Sequence, residues 1–288
     1  ISGGWILTQE KFMQGVTSVL NYLKIRASYG VVGNDKYYKS NEQQRFLYLP
    51  DVYYYGGGYN FGTGSSWSNG AYEGAMGNPL LGWEKAYKQN YGIDFSIFDS
   101  RLVVNVDAFL EKRNNILAQP QTYPAYAALQ LPVLNLGKVE NKGVEVQMKW
   151  NDKVNTDFSY YVNFNLSYAK NKIVYMDEVP SKYEYTLKTG RPVDQPFGYK
   201  VRGFYYEGMP DVADHSFDLR EGDVVYEDLN GDGVITKEDM TAIGYPKYPL
   251  LNAGLTLGFK WKGLEISALF VGATKTSRML QETFRVPF

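Results

Sequence analysis

There is no cysteine among the 288 residues. Disulfides, thiolate metal sites and thiol nucleophiles are therefore excluded. There is one histidine, His215, so a multi-histidine metal centre is excluded, and any Ser-His-Asp triad would have to use that residue. An excess of one charge is also missing. Thirty Lys and Arg stand against 31 Asp and Glu, for a net charge of −1, and the sequence pI is near 6.0. Nucleic-acid binders normally carry a basic excess, so no nucleic-acid partner is expected. No apolar run approaches the roughly 18 residues that a transmembrane helix needs. No P-loop, dinucleotide fingerprint or nucleophile elbow occurs. His215 lies in Asp211-Val212-Ala213-Asp214-His215 and reads as a solvated loop histidine rather than a catalytic one. No catalytic residue is assigned, and the chain is expected not to be an enzyme, although a glycosidase carboxylate pair has no signature that sequence could exclude.

What is abundant is tyrosine, with 26 residues, and glycine, with 29, alongside 15 Phe and five Trp. Apolar residues at 44% and charged residues at 21% fit a folded chain. High tyrosine and glycine without cysteine point to an all-β protein with many turns and aromatic girdles. The chain opens on Ile1-Ser2-Gly3-Gly4-Trp5-Ile6-Leu7, which reads as a strand already under way. It stops at Phe284-Arg285-Val286-Pro287-Phe288 without a capping pattern. No signal-peptide pattern is present. A piece of a longer polypeptide is expected.

Strict alternation is the clearest signal. Tyr91, Ile93, Phe95 and Ile97 share one face, opposite Gly92, Asp94 and Ser96. After Asp99-Ser100, the residues Leu102, Val104, Val106, Ala108 and Leu110 oppose Arg101, Asn105, Asp107 and Glu111. The pattern recurs in Val144–Trp150 and Phe158–Tyr168, in Leu255–Trp261 and Leu264–Phe270, and earlier in Leu23–Tyr29. Strands are expected at about 1–7, 20–30, 86–98, 101–113, 143–150, 158–170, 251–261 and 264–273, all within one β-domain over 1–288. Many approach the roughly 9–11 residues of a bilayer-crossing strand. A soluble β-sandwich also alternates in this way. Two features favour a transmembrane antiparallel β-barrel. Aromatics gather near strand ends (Tyr91, Phe98, Trp150, Phe158, Tyr168, Trp261), where a bilayer interface would hold them. The connections also alternate in length: short at 99–100, 151–157 and 262–263, long at about 31–84, 114–142 and 171–250. Outer-membrane barrels pair short periplasmic turns with long extracellular loops.

Two loop features carry chemistry. The 31–84 loop holds Tyr53, Tyr54, Tyr55, Tyr59, Phe61 and Trp67 around Gly56-Gly57-Gly58. These aromatic faces are candidates for stacking on sugar rings or peptide side chains, or for packing on one another over a barrel mouth. The 171–250 loop holds Asp228-Leu229-Asn230-Gly231-Asp232-Gly233-Val234-Ile235-Thr236-Lys237-Glu238-Asp239. This fits a twelve-residue calcium loop, with ligand types at positions 1, 3, 5, 9 and 12, glycine at 6 and an apolar residue at 8. Asp228, Asn230, Asp232, Val234 (through its carbonyl), Thr236 and Asp239 are the candidate ligands of a structural Ca²⁺. Asp239 is the departure, since an EF-hand has Glu at position 12. A metal-free turn rich in Asn-Gly and Asp-Gly is the other reading.

The order of motifs resembles SusC/RagA-type TonB-dependent outer-membrane transporters. Leu23-Lys24-Ile25-Arg26-Ala27-Ser28-Tyr29-Gly30-Val31-Val32-Gly33-Asn34 is similar to one of that family's segments, and Asn78-Pro79-Leu80-Leu81-Gly82-Trp83-Glu84-Lys85 to another. Asn135-Leu136-Gly137-Lys138-Val139-Glu140-Asn141-Lys142-Gly143-Val144-Glu145 resembles a third. Gly190-Arg191-Pro192, Phe197-Gly198-Tyr199, Gly203-Phe204 and the block from Gly222-Asp223 through Asp239 to Ile243-Gly244 follow in register. The resemblance implies a fragment of a 22-stranded barrel, with plug domain and signal peptide not present, in the cell outer membrane and its lipid. It implies opening by TonB through the missing N-terminal part, a SusD-like surface lipoprotein as lid, and oligosaccharide or peptide as cargo. On this reading Arg26, Asp94, Asn105, Asp107, Glu145, Gln147, Asn163 and Asn165 face the lumen. The alternative is a soluble calcium-stabilised carbohydrate-binding β-sandwich module.

Overall fold

The computed structural model describes residues 1–40, 42–50, 54–63, 66–72, 76–122 and 131–280. Eight strands make one antiparallel sheet in chain order. They are β1 (Ser2–Ile6), β2 (Leu20–Asn34), β3 (Glu84–Ile97), β4 (Leu102–Ala118), β5 (Leu134–Lys153), β6 (Phe158–Tyr175), β7 (Leu251–Trp261) and β8 (Leu264–Thr274). Among the described residues the sheet is open, with β1 and β8 as its edges. Among the described residues no helix is long and apolar enough to cross a membrane, which says nothing of strands.

The period-two pattern sets the register, because a slip of one residue would turn every side chain to the other face. Ile25 stands opposite Ile93, Ile93 opposite Val106, Val106 opposite Val146, and Val146 opposite Leu166. One apolar row therefore crosses five strands. The neighbouring polar row runs Arg26, Gly92, Asp107, Glu145, Ser167 and Asn252. On β3 the apolar face is the more open one, with Tyr91 57% and Ile93 45% exposed against 6% for Ser96 on the polar face, whereas on β5 the polar Glu145 and Gln147 are exposed as well. A sandwich would have to cover that apolar face with a second sheet, and no second sheet covers it among the described residues. An apolar face that no second sheet covers, backed by a polar face, is the arrangement of a membrane barrel wall.

Large side chains on the polar face lie over glycines of the next strand. The Phe109 ring covers Gly143, the Tyr161 ring covers Gly258, and the Arg26 guanidinium covers Gly92, where a Cβ would collide with it. The reverse turns are tight. Asp99 and Ser100 both take positive φ, as a two-residue type I′ hairpin demands. Lys262-Gly263 does the same. At residues 154–157 the Asn155 side-chain oxygen accepts hydrogen bonds from the Asp157 and Phe158 amides, at 2.9 and 2.8 Å.

Several strands outrun the expected limits. β2 continues to Asn34, β4 to Ala118, and β5 starts at Leu134 rather than 143. Residues 138–142 carry no apolar alternation, because Lys138, Glu140 and Lys142 hold the face that Val144 and Val146 hold further along the strand. Their ladder is held by backbone bonds and by ion pairs such as Lys112–Glu140 at 3.5 Å. The connection read as 114–142 is thus only 119–133. The long connections also have structure of their own. Tyr37–Lys39 pairs with Glu42–Gln44, and Tyr54–Phe61 with Ser66–Tyr72. Phe197–Tyr199 pairs with Met240–Ala242, and Val201–Phe204 with Val224–Tyr226.

Candidate functional site

Parity of the strands puts the connections 35–83, 119–133 and 176–250 at one end of the sheet, and 98–101, 154–157 and 262–263 at the other. The candidate residues fall into three groups: the polar wall, an aromatic hairpin and the 228–239 loop.

On the wall, Arg26 is clamped by two carboxylates. Its Nε donates to Asp94 Oδ2 at 3.0 Å and its Nη2 to Asp94 Oδ1 at 3.2 Å. Nη1 and Nη2 also donate to the two oxygens of Asp107, at 2.6 and 2.5 Å. Charge-assisted two-pronged pairs of this kind hold direction as well as charge. A hollow of about 470 Å³ opens here, walled by Tyr22, Arg26, Asp94, Asn105, Asp107, Glu145 and Gln147. All six of the lumen candidates from Arg26 to Gln147 meet around it. Asn165 is opposite Gln147, and Asn163 is opposite Lys149.

In the aromatic hairpin, Tyr59, Phe61 and Trp67 are 70, 63 and 60% exposed. Tyr59 and Phe61 pack edge to face at 5.3 Å. Trp67 lies against Gly58, and its indole N–H donates to Asn69 Oδ1 at 3.0 Å. The rings are thus held in place yet open to solvent. Tyr54 and Tyr55 belong to the same strand, opposite Tyr72 and Ala71. Tyr53 lies outside the described residues.

In the 228–239 loop the ligand-type residues are brought together, but they turn onto backbone. Asp228 accepts from the Gly231 and Gly233 amides, both at 2.7 Å. Asn230 Oδ1 accepts from the Asp232 amide, and Asp232 Oδ1 from the Val234 amide, each at 2.9 Å. Asp239 is fully buried. It accepts from the Leu229 amide at 2.9 Å and the Thr236 amide at 2.8 Å, while Thr236 Oγ1 accepts from the Glu238 amide at 3.2 Å. The Gly233 amide, acting against desolvation and joined by that of Gly231, holds the Asp228 carboxyl below the usual carboxylate range. Among the described residues, no set of three or more His, Cys, Asp or Glu side chains is arranged to hold a metal ion. The donor types of the motif are present, in the arrangement of a loop closed by its own side chains.

Three features of this region have no sequence signature. Tyr185 packs its hydroxyl near the loop, buried and without a partner among the described residues. Burial and then the Asp239 carboxylate push that phenol up. Asp177 Oδ2 accepts from the Gln121 and Thr122 amides at 2.7 and 3.1 Å, and its Oδ1 from the Thr122 hydroxyl at 2.6 Å. That contact ties together two long connections. His215 is buried rather than solvated. Tyr226 N–H donates to its Nε2 at 3.2 Å, so Nδ1 carries the proton and donates to Ala213 O at 2.8 Å. Tyr226 stacks on its ring at 5.8 Å. Phe217 lies edge-on to it at 5.7 Å.

Residues 15–273 match the family model described as TonB dependent receptor-like, beta-barrel. The chain belongs to this family of outer-membrane β-barrels. It is 28% identical over 280 residues to "TonB-dependent receptor P3" of Formosa agariphila, covering 92% of the chain and 27% of that protein. It is 25% identical over 274 residues to "TonB-dependent receptor SusC" of Bacteroides thetaiotaomicron, covering 92% and 26%. Among solved structures it resembles the RagAB peptide importer in its open-open state, with a TM-score of 0.70 at 20% identity over 96% of the chain and 28% of that one. The closed-closed state gives a TM-score of 0.66 at 21% identity, covering 96% and 29%. The chain thus spans a little over a quarter of the length of these relatives. Within the TonB-dependent receptor barrel, the eight-stranded sheet is a segment of wall and the 35–83, 119–133 and 176–250 connections are its long loops.

Proposed function

We propose that this chain is a wall segment and loop set of an energy-coupled importer that carries oligosaccharide or peptide across the outer membrane. It does so with a SusD-like surface lipoprotein as lid and TonB acting through the rest of the protein. The observation that carries this reading is the division of the sheet into a polar row running from Arg26 to Asn252 and an apolar row, open at Ile93, that no second sheet covers among the described residues. Membership of a receptor-barrel family and likeness to SusC and to a peptide importer support it. No reaction is assigned to this chain. The exposed, positioned rings of Tyr59, Phe61 and Trp67 are proposed to meet cargo or lid at the long-loop end. The test replaces these three with Ala in the full-length protein and follows uptake of labelled oligosaccharides and peptides by cells. Weakened uptake of one cargo class with normal barrel assembly is expected. Undiminished uptake of both would refute the cargo role.

We also propose that the 228–239 loop takes up a structural calcium ion. The support is the donor chemistry. Asp228, Asn230 and Asp232 use oxygens that accept a single amide each and keep a second acceptor site. The Val234 carbonyl accepts no hydrogen bond among the described residues. Calcium titration of the full-length protein, read by calorimetry and loop proteolysis, tests it.

A further inference from the structure

Above the apolar band, on the outward face and at the long-loop end, the sheet becomes basic. Phe158, Tyr160, Val162, Phe164, Leu166 and Tyr168 of β6 all point outward. Ten residue steps at about 3.4 Å, tilted by roughly 45°, span about 24 Å, close to the height of a barrel's lipid-facing band. Tyr91 and Tyr168, on the row through Ala108 and Val144, form its upper rim. The next outward row brings Lys142 directly opposite Lys170. The row above it brings Lys112 and Lys172 to either side of Glu140, and Lys85 lies on β3 beyond Tyr87. Lys275 Nζ lies 5.5 Å from the centroid of the Tyr168 ring. Of these, Lys112 alone has an ion pair among the described residues, to Glu140 at 3.5 Å. Like charges set directly opposite on paired strands repel, so the Lys142–Lys170 pair calls for an anion between its two ammonium groups.

We propose that this belt binds the phosphate-bearing head groups of lipids in the leaflet on the long-loop side. Their acyl chains would run down the apolar face below Tyr91 and Tyr168. The apolar face continues into the basic belt without a break, which matches a ligand that is anionic at one end and apolar at the other. Lysine serves as a compact point charge for phosphate, and basic clusters flanking a membrane span recruit anionic lipid. The inference rests on the apolar face meeting lipid.

The experiment uses the full-length protein in vesicles of mixed phosphatidylglycerol and phosphatidylcholine, with the retained lipids read by native mass spectrometry. The wild-type protein is expected to be enriched in phosphatidylglycerol. A Lys142→Gln, Lys170→Gln, Lys172→Gln variant is expected to retain lipid in the ratio of the vesicle, and excess inorganic phosphate is expected not to displace the lipid. Lys170→Glu, which pairs with Lys142, is expected to raise thermal stability in zwitterionic detergent while losing the enrichment. Equal enrichment in wild type and triple variant, or displacement by phosphate alone, overturns the proposal. A wild-type protein that inserts but shows no lipid preference sinks this inference only. One that stays dispersed without detergent or vesicles sinks the lipid-facing reading as well.

Discussion

The Arg26 guanidinium passes over Gly92 of the neighbouring strand to grip both oxygens of Asp107, two strands away. The clamp exists because the residue between the partners has no side chain. A Cβ at position 92 would meet the guanidinium, so Gly92→Ala must push the arginine aside or break its pairs. Overpacking of this kind typically costs about 1–3 kcal/mol. Gly30 has nothing within 4 Å of an added Cβ, and Gly30→Ala is the control. The measurement is the temperature at which the full-length barrel loses its folded, heat-modifiable band. Gly92→Ala should lower it and Gly30→Ala should not, and equal behaviour of the two would show that the clamp contributes nothing.

Removing the cation leaves a worse problem than blocking its path. Arg26→Ala strands Asp107 beside Glu145, which stands directly opposite it, and leaves Asp94 facing only Lys24, which makes no ion pair with it among the described residues. Truncating one member of a charged hydrogen-bonded group costs on the order of 1–3 kcal/mol when the partners are shielded from water. The two carboxylates here are 19% exposed. Arg26→Ala combined with Asp94→Asn and Asp107→Asn should recover part of that loss. A triple variant no more stable than Arg26→Ala would mean that repulsion is not the cause.

How much of this was readable in the sequence depends on whether one face meets water and the other does not. Tyr91 to Ile97 alternate because one face is apolar and open while the other is polar and enclosed, and the strand, its register and its turn all follow. Residues 138–142 are strand too, yet Lys138, Glu140 and Lys142 are charged where Val144 and Val146 are apolar, so no period marks them. Gly92 reads in the sequence only as a small residue on the polar face, and its use as a saddle for Arg26 emerges only from the pairing. The calcium-type loop shows a similar limit. Residue types and order are legible between Asp228 and Asp239, but the direction of each carboxylate is not. The Asp177–Thr122 contact joins residues 55 apart in the chain and the Tyr226–His215 contact residues 11 apart, and no local pattern encodes either.

The Asp177 clamp predicts a pH response of the outer loops. The Thr122 hydroxyl, then the Thr122 and Gln121 amides, hold the Asp177 carboxyl below its ordinary range. A depressed carboxylate contributes stability above its unfolded pKa of about 3.9, and that contribution is lost as pH falls through the folded value. Hydrogen exchange at the Gln121 and Thr122 amides should therefore be slow at neutral pH and quicken below about pH 4 beyond the intrinsic trend. Asp177→Ala should quicken it at every pH. Amides in the variant as protected as in wild type at pH 7 would show that the clamp does not hold in solution.

The aromatic hairpin predicts a graded loss of binding. Tyr59 and Phe61 share one face of their strand, and Trp67 belongs to the paired strand. A stacked ring adds on the order of 1 kcal/mol beyond its buried area, or about fivefold in affinity. Trp67→Ala and the pair Tyr59→Ala with Phe61→Ala should each weaken cargo binding by at least that factor. Trp67→Phe should retain most of it if stacking, rather than the N–H, makes the contact. Binding measured on the purified complex of full-length protein and lid separates these outcomes, and full affinity in every variant would leave the rings as packing for the hairpin alone.

Asp239 predicts how the 228–239 loop answers to calcium. Its fully buried carboxylate is the hub on which Leu229 and Thr236 close the loop. Asp239→Ala leaves those two amides without their acceptor, at about 1–3 kcal/mol for each buried donor that water cannot reach. Proteolysis within 226–240 should accelerate in that variant whether or not calcium is added. Asp232→Ala removes the acceptors of the Val234 amide and of the Asn230 side-chain amide, and one candidate ligand. If the loop takes up the ion, calcium should slow proteolysis of the wild-type loop, and Asp232→Ala should abolish that protection while loosening the metal-free loop less than Asp239→Ala does. Magnesium provides the comparison, because it demands near-octahedral geometry and gives up its waters reluctantly, and it should protect far less. If calcium changes nothing in the wild-type protein while Asp239→Ala still opens the loop, the closure is made by side chains alone, and the metal has no part in it.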